Sequence, residues 1–239
     1  MLTFLWCVPR SVSTAFEKMM LHAGGFDVIS EPFLNLYKQS LISQEKHIQV
    51  GQRVRKYCEK LIQRRLSRHV FVKEMAYHAN DFITDEFIDQ TRHVFLIRDP
   101  KYSIPSLYKM RAEYTEDQTG FHGQLALLNR IKKNTGETPF IIDAETLLRQ
   151  QSSVISTYFD YLGLEMPNEV LTWPRGSSSA WQGRESWHVD AIESEGFEQK
   201  SKEIDLDKQC TKVKNSISLA SSIYFEMHRQ SLVQSKLMK

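Results

Sequence analysis

The sequence predicts a single α/β domain, residues 1–239, with a central, mostly parallel sheet flanked by helices. Three observations predict it. Short apolar runs recur between residues 3 and 142, and stretches with helical periodicity lie between them. Every segment between neighbouring runs is longer than the dozen or so residues that a parallel crossover needs. The runs themselves are continuously apolar rather than alternating, which suits strands covered on both faces.

The first strand is Thr3–Val8, stopped by Pro9, which has no N–H to give a sheet ladder. A helix-forming run opens after Thr14. A short strand follows at Phe26–Ile29. Residues Val54–Leu66 place Val54, Tyr57, Cys58, Leu61, Ile62 and Leu66 three or four apart, the apolar stripe of a helix. Three more strands are expected at His69–Lys73, His93–Ile97 and Pro139–Ile142. After Gly163 the pattern changes. Residues 173–198 hold Trp173, Trp181 and Trp187 among glycines and a serine triplet, a long irregular segment whose tryptophan density predicts order. The stretch from about residue 207 to residue 237 reads as a polar-surfaced helix.

Composition narrows the function. The chain has 239 residues, 41% hydrophobic and 25% charged, as a globular protein has. With 31 basic against 29 acidic residues the net charge is +2, which gives no general attraction to nucleic acid. Any anion site must therefore be local. Cys7, Cys58 and Cys210 lack metal-ligand spacing and read as free thiols of a reducing compartment. The chain enters its first strand at once, and no apolar run approaches a membrane span. These features predict a cytoplasmic protein with no membrane partner.

Two stretches carry the candidate chemistry. In "WCVPRSVSTAFEKMM" a strand passes through a tight loop into a helix, whose free N–H groups and positive dipole end favour phosphate or sulfate. Arg10 adds a guanidinium, and Ser11, Ser13 and Thr14 add hydroxyls. The nucleotide-triphosphate signature GxxxxGK[ST] is absent, and with it the Lys-Ser/Thr pair that serves Mg²⁺. The loop reads as an anion cradle that works without metal. In "HVFLIRDPKYSIPSLYKM" a second strand ends at Arg98, and the helix after it carries Ser103 and Ser106. Ligands of open α/β sheets bind at such carboxyl ends, so two cradles imply a ligand with two anionic groups.

Pro9 to Thr14 resembles the 5′-phosphosulfate loop of sulfotransferases that use 3′-phosphoadenosine 5′-phosphosulfate (PAPS). Arg98 with Ser106 is similar to the pair that holds the 3′-phosphate in that family. "TPFIIDAETLLRQQSSVISTYFDYLGLEMP" resembles its strand, acidic turn and helix. The resemblance spans roughly residues 3–167 and implies a P-loop NTPase-like fold. It also implies transfer of a sulfuryl group from PAPS to a hydroxyl or amine of a small acceptor, leaving 3′-phosphoadenosine 5′-phosphate (PAP). The implied donor site is Arg10, Ser11, Val12, Ser13, Thr14, Ala15, Arg98 and Ser106, joined by Arg175, whose Arg175-Gly176 faintly resembles the family's Arg-Lys-Gly.

The chain departs from the pattern at three places. Val12 stands for a glycine, so the loop is expected to avoid positive φ there. Ala15 stands for the tryptophan that stacks on adenine in many cytosolic members. Met75 stands for their histidine. Lys73 corresponds to the lysine that contacts the bridging region of the donor. For the general base, Glu31 is the first choice, since its separation from Arg10 resembles that in the tyrosylprotein sulfotransferases. His78 is second and His188 is held in reserve, while Glu74 should point to the opposite strand face from Lys73. The acceptor is expected under residues 114–120 and the Trp-rich segment, where aromatic walls suit a small or lipid-like alcohol. The alternative is a non-catalytic member of the fold that binds a nucleotide or a protein. An ATP-dependent kinase is disfavoured by the missing Walker lysine.

Overall fold

The computed structural model describes residues 1–198 and 204–237, with side chains of the last helix as far as Ser231. Five strands, β1 (Leu2–Cys7), β2 (Phe26–Ser30), β3 (His69–Met75), β4 (Arg92–Ile97) and β5 (Phe140–Asp143), form one sheet in the order β2-β3-β1-β4-β5. Every pairing is parallel. The helices are α1 (Ser13–Ala23), α2 (Leu34–Ser40), α3 (Gln44–Arg64), α4 (Asp85–Asp89), α5 (Pro100–Met110), α6 (Phe121–Thr135), α7 (Ala144–Arg149), α8 (Gln151–Leu162), α9 (Val189–Glu193) and α10 (Thr211–Leu237).

The continuous apolar runs have the reason the sequence implied. All six residues of β1 are buried, and they alternate between two cores. Phe4 and Trp6 join Val54, Val72, Phe95 and Tyr224 on one face. Leu5 and Cys7 join Phe16, Met19, Phe71 and Tyr158 on the other. Phe4 and Trp6 stack at 4.7 Å, and the Trp6 indole donates to Nδ1 of His93 at 3.0 Å, so its one polar atom is satisfied.

Every expected strand is present, with ends shifted by one or two residues, and the helix expected at Val54–Leu66 opens ten residues earlier, at Gln44, and closes at Arg64. The strand expected to close at Lys73 runs on to Met75, placing both Lys73 and Glu74 inside the sheet. The strand expected at Pro139 begins at Phe140, because proline cannot join the ladder. The first strand ends one residue early, at Cys7.

Because β3 and β4 flank β1, the crossovers leave the β1 end on opposite sides and open a crevice there. The Trp-rich segment is ordered, as expected, and closes over this crevice. Trp181 Nε1 donates to Glu17 Oε1 at 2.7 Å, and Trp173 Nε1 donates to Ser194 Oγ at 3.1 Å. Lys18 Nζ donates to the carbonyls of Ala191, Ile192 and Ser194 at 2.8, 3.3 and 3.1 Å. Among the described residues no helix is long and apolar enough to cross a membrane.

One close approach fixes the turn that follows β3. A Cβ on Gly123 of α6 would stand 3.1 Å from the Tyr77 backbone N and 3.2 Å from its Cα. Gly123→Ala is therefore expected to lower the thermal midpoint, although alanine is favoured by about 1 kcal/mol in a helix. Thermal unfolding checks this, and a higher midpoint would mean that the turn yields without cost.

Candidate active site

The loop between β1 and α1 is built on left-handed backbone. Arg10 has φ 63° and Val12 has φ 60°. The expectation that valine would keep this loop out of positive φ is overturned. Left-handed geometry costs a residue with a Cβ about 1–2 kcal/mol, so the surroundings must hold it. Ser11 is wholly buried and donates to the Val8 carbonyl at 2.7 Å, while the Val12 carbonyl accepts the Phe16 N–H at 3.1 Å. Arg98 donates to the Arg10 carbonyl at 2.6 Å. No side chain caps α1, so the first-turn N–H groups remain available to a ligand. Ser13, Thr14 and Ala15 line the cavity beside them.

The cations around this loop are paired. Arg10 donates from Nε to Ser106 Oγ at 2.9 Å and from one terminal nitrogen to the Trp187 carbonyl at 2.9 Å, and its other terminal nitrogen meets Asp190 at 3.3 Å. Burial lowers the Arg10 pKa, and Asp190 opposes the fall. Arg98 meets Glu145 at 3.0 Å, so Ser106 serves Arg10 here rather than Arg98. Burial raises the Glu145 carboxyl in spite of Arg98. Arg175 is not brought to the site. Its side chain is 69% exposed, with Glu195 at 3.4 Å, and it does not line the cavity.

Beneath the loop lies a buried charge network. Lys73 is 1% exposed, and its ammonium is hydrogen-bonded to Glu31 Oε1 and stands 3.6 Å from Glu17 Oε2. Arg184 takes the other Glu31 oxygen at 3.0 Å. Burial alone would push the Glu31 carboxyl up, but Lys73, with His78 and Arg184, brings it down to about 2. Burial disfavours charge on Lys73 too, yet Glu31 and Glu17 hold its pKa above the usual lysine value.

Two histidines flank this network. His78 is 2% exposed, and its Nδ1 lies 2.7 Å from Glu74 Oε1. A carboxylate only accepts, so Nδ1 carries a proton and donates it to Glu74. Glu74 does lie away from Lys73, as alternation predicts; it also accepts from the N–H groups of Phe33 and Met75. His188 Nδ1 lies 3.1 Å from Thr14 Oγ1. Burial, aided by Lys73, lowers His188 to about 4. The Nε2 atoms of both rings are buried without a hydrogen-bond partner, and both residues line the cavity.

The cavity holds about 480 Å³. The loop residues, Arg98 and parts of the 183–198 segment line it, together with Leu34, Lys38, Tyr77, His78, Arg111, Tyr114 and Gln118. The structure thus brings together Arg10, Val12, Ser13, Thr14, Ala15, Glu31, Lys73, His78 and Arg98, with Ser11 and Ser106 supporting from behind. Sequence reasoning missed Arg184, Asp190 and Glu17. Arg184 lies 153 positions from Glu31, in a segment without periodicity, so nothing local marked it.

The sequence profile described as "Sulfotransferase domain" matches residues 1–211. The chain belongs to the sulfotransferase domain family. Solved sulfotransferase domains share its fold. That from the curacin biosynthetic pathway superposes with a TM-score of 0.53 at 15% identity, over 92% of this chain and 97% of that one. That from the Synechococcus PCC 7002 olefin synthase gives 0.52 at 14% identity, over 92% and 93%. Two Arabidopsis thaliana proteins are similar in sequence. Branched-chain-amino-acid aminotransferase-like protein 2 is 24% identical over 265 residues, and protein 1 is 22% identical over 201 residues. The alignments cover 97% and 80% of this sulfotransferase domain but only 43% and 36% of those longer proteins.

The lowered His188 pKa has a stability consequence. The unfolded chain binds the proton near 6.5 and the folded one near 4, so this contribution is full above pH 6.5 and fades as pH falls towards 4. His93, also lowered by burial to about 4, acts in the same direction. His188→Gln should therefore flatten the fall in unfolding free energy, measured by urea titration, between pH 6.5 and pH 4, by about 1–2 kcal/mol after allowing for water at the cavity. An unchanged slope would show that His188 stays solvated.

Proposed function

We propose that this sulfotransferase domain transfers a sulfuryl group from PAPS to a hydroxyl or amine of a small molecule, releasing PAP. The observation that carries the reading is the left-handed Arg10–Val12 loop feeding an uncapped helix beside a buried, charged Lys73. That arrangement supplies amides, a guanidinium and an ammonium to one anionic centre without a metal. The residues fit the donor's phosphosulfate end, where His188 Nε2 lacks a partner. At the 3′-phosphate end, Arg98 keeps one terminal nitrogen without a hydrogen bond among the described residues, and Ser103 Oγ is buried without a partner.

When bound, PAPS supplies an activated sulfuryl group. The α1 amides and Arg10 hold its charged oxygens. Lys73, kept protonated by Glu17 and Glu31, neutralises charge at the breaking bond. His78 takes the acceptor proton on Nε2 while Glu74 holds its tautomer and stabilises the cation that forms. Glu31, the first choice from sequence, suits this step less. Both its oxygens are held by cations, and a carboxylate near 2 is a weak base at neutral pH. Its role in this reading is to hold Lys73. The reading also takes the protein as cytoplasmic, with three free cysteines and no dealings with nucleic acid or membranes.

A second reading, a non-catalytic member of the fold, draws on one observation. Arg10, Arg98, Lys73 and Arg184 are each already matched by a carboxylate. Transfer of labelled sulfate from PAPS to a metabolite extract separates the two, since product is expected only on the first. With an acceptor in hand, His78→Ala should lower kcat by about 10²–10⁴ while PAP affinity holds. Activity lost in Glu31→Gln but kept in His78→Ala would return the base to Glu31. Arg98→Ala should weaken PAP about tenfold or more and spare adenosine 5′-phosphosulfate, which lacks the 3′-phosphate. Equal losses for both nucleotides would remove Arg98 from that role.

A further inference from the structure

Six cationic side chains line the cavity: Arg10, Lys38, Lys73, Arg98, Arg111 and Arg184. Four of them are ion-paired. Arg10 has Asp190, Arg98 has Glu145, Lys73 has Glu31 and Glu17, and Arg184 has Glu31. Lys38 and Arg111 have no ion pair among the described residues, and both line the same cavity as His78.

Helix α5 sets the separation. Arg98 lies two residues before its start and Arg111 caps its end, so the 11-residue helix between them spaces their backbones by roughly 16 Å at about 1.5 Å per residue. Arg111 therefore stands at the opposite end of α5 from Arg98. It faces the rings around the histidine instead. Tyr37, Tyr77 and His78 form a closed set, with centroids 5.3, 5.1 and 4.3 Å apart. Burial raises the Tyr37 phenol and Asp117 adds to the rise, while Arg111 opposes it. Burial raises the Tyr77 phenol as well, again with Arg111 opposing. Asp117 forms no ion pair with either unmatched cation among the described residues. Leu34, Met75 and Leu107 supply an apolar lining in the same cavity.

We propose that the acceptor is itself an anion, a hydroxyl compound whose carboxylate or phosphate is held by Lys38 and Arg111. Its apolar middle lies along Leu34 and Leu107, and its hydroxyl reaches His78. This rests on the sulfuryl-transfer reading for the identity of the reacting hydroxyl. Both cations are exposed, so they act at the mouth, where they also draw an anion in from solution.

The test uses a ladder of ω-hydroxy carboxylates, the diols of equal length and the matching phosphate monoesters. Binding of each is measured by titration calorimetry, to the PAP-loaded protein and to the protein alone. One or both anions should bind about three- to tenfold tighter than the diol at low salt, the range open to two solvent-exposed charge pairs. The advantage should shrink with added salt and vanish in the double variant Lys38→Gln, Arg111→Gln. The tighter of carboxylate and phosphate names the group. Equal binding of anion and diol at every length would overturn the proposal. So would a preference that survives the double variant, whose exposed positions leave folding intact. If PAP fails to bind while the anion preference persists and depends on Lys38 and Arg111, the donor reading falls and this one stands.

Discussion

A lysine ammonium inside the core is the constraint on which the site depends. Lys73 sits in the middle of the sheet, opposite Leu5 of β1, at 1% exposure. A charge there costs several kcal/mol unless it is paired and hydrogen-bonded. The partners come from three separate parts of the chain. Glu17 rises from α1, Glu31 follows β2, and Arg184 reaches in from the irregular segment to take Glu31's second oxygen. Satisfying one buried cation therefore ties together the first helix, the edge of the sheet and the segment that covers the crevice.

That covering segment is part of the site and not a loose cover. Its tryptophans act as pins, with Trp181 on Glu17 and Trp173 on Ser194. Lys18 gathers three of its backbone carbonyls. In consequence His188 is delivered against Thr14, and Asp190 and the Trp187 carbonyl against Arg10. The cradle that local sequence presents as open is closed from above by residues more than 170 positions away.

Membership of the sulfotransferase domain family and the shared fold do not carry substrate identity with them. The solved domains are 15% and 14% identical to this chain, a level at which only the fold is common ground. The curated relatives are more than twice as long as the part they share with it. Its own site is marked by a valine held left-handed in the loop and a histidine backed by a buried glutamate.

The sequence by itself determined the parallel sheet, the succession of strands along the chain and the tight loop between the first strand and the first helix. Continuous apolar runs, long crossovers and Pro9 with Arg10 are local signals, written in neighbouring residues. The same holds for Lys73 and Arg98 as cations at the carboxyl ends of apolar runs, although Lys73 lies inside β3 and Arg98 one residue past β4. The tertiary structure decided the rest. It held Val12 left-handed because Ser11 and the Phe16 N–H fix its neighbours, against the preference of a branched side chain. It gave Ser106 to Arg10 and Glu145 to Arg98, and it left Arg175 outside. It left His78 with a free nitrogen while surrounding Glu31 with cations. Local periodicity cannot report which charges meet across 100 or more positions, because the cost of burying a charge depends on what the fold places beside it.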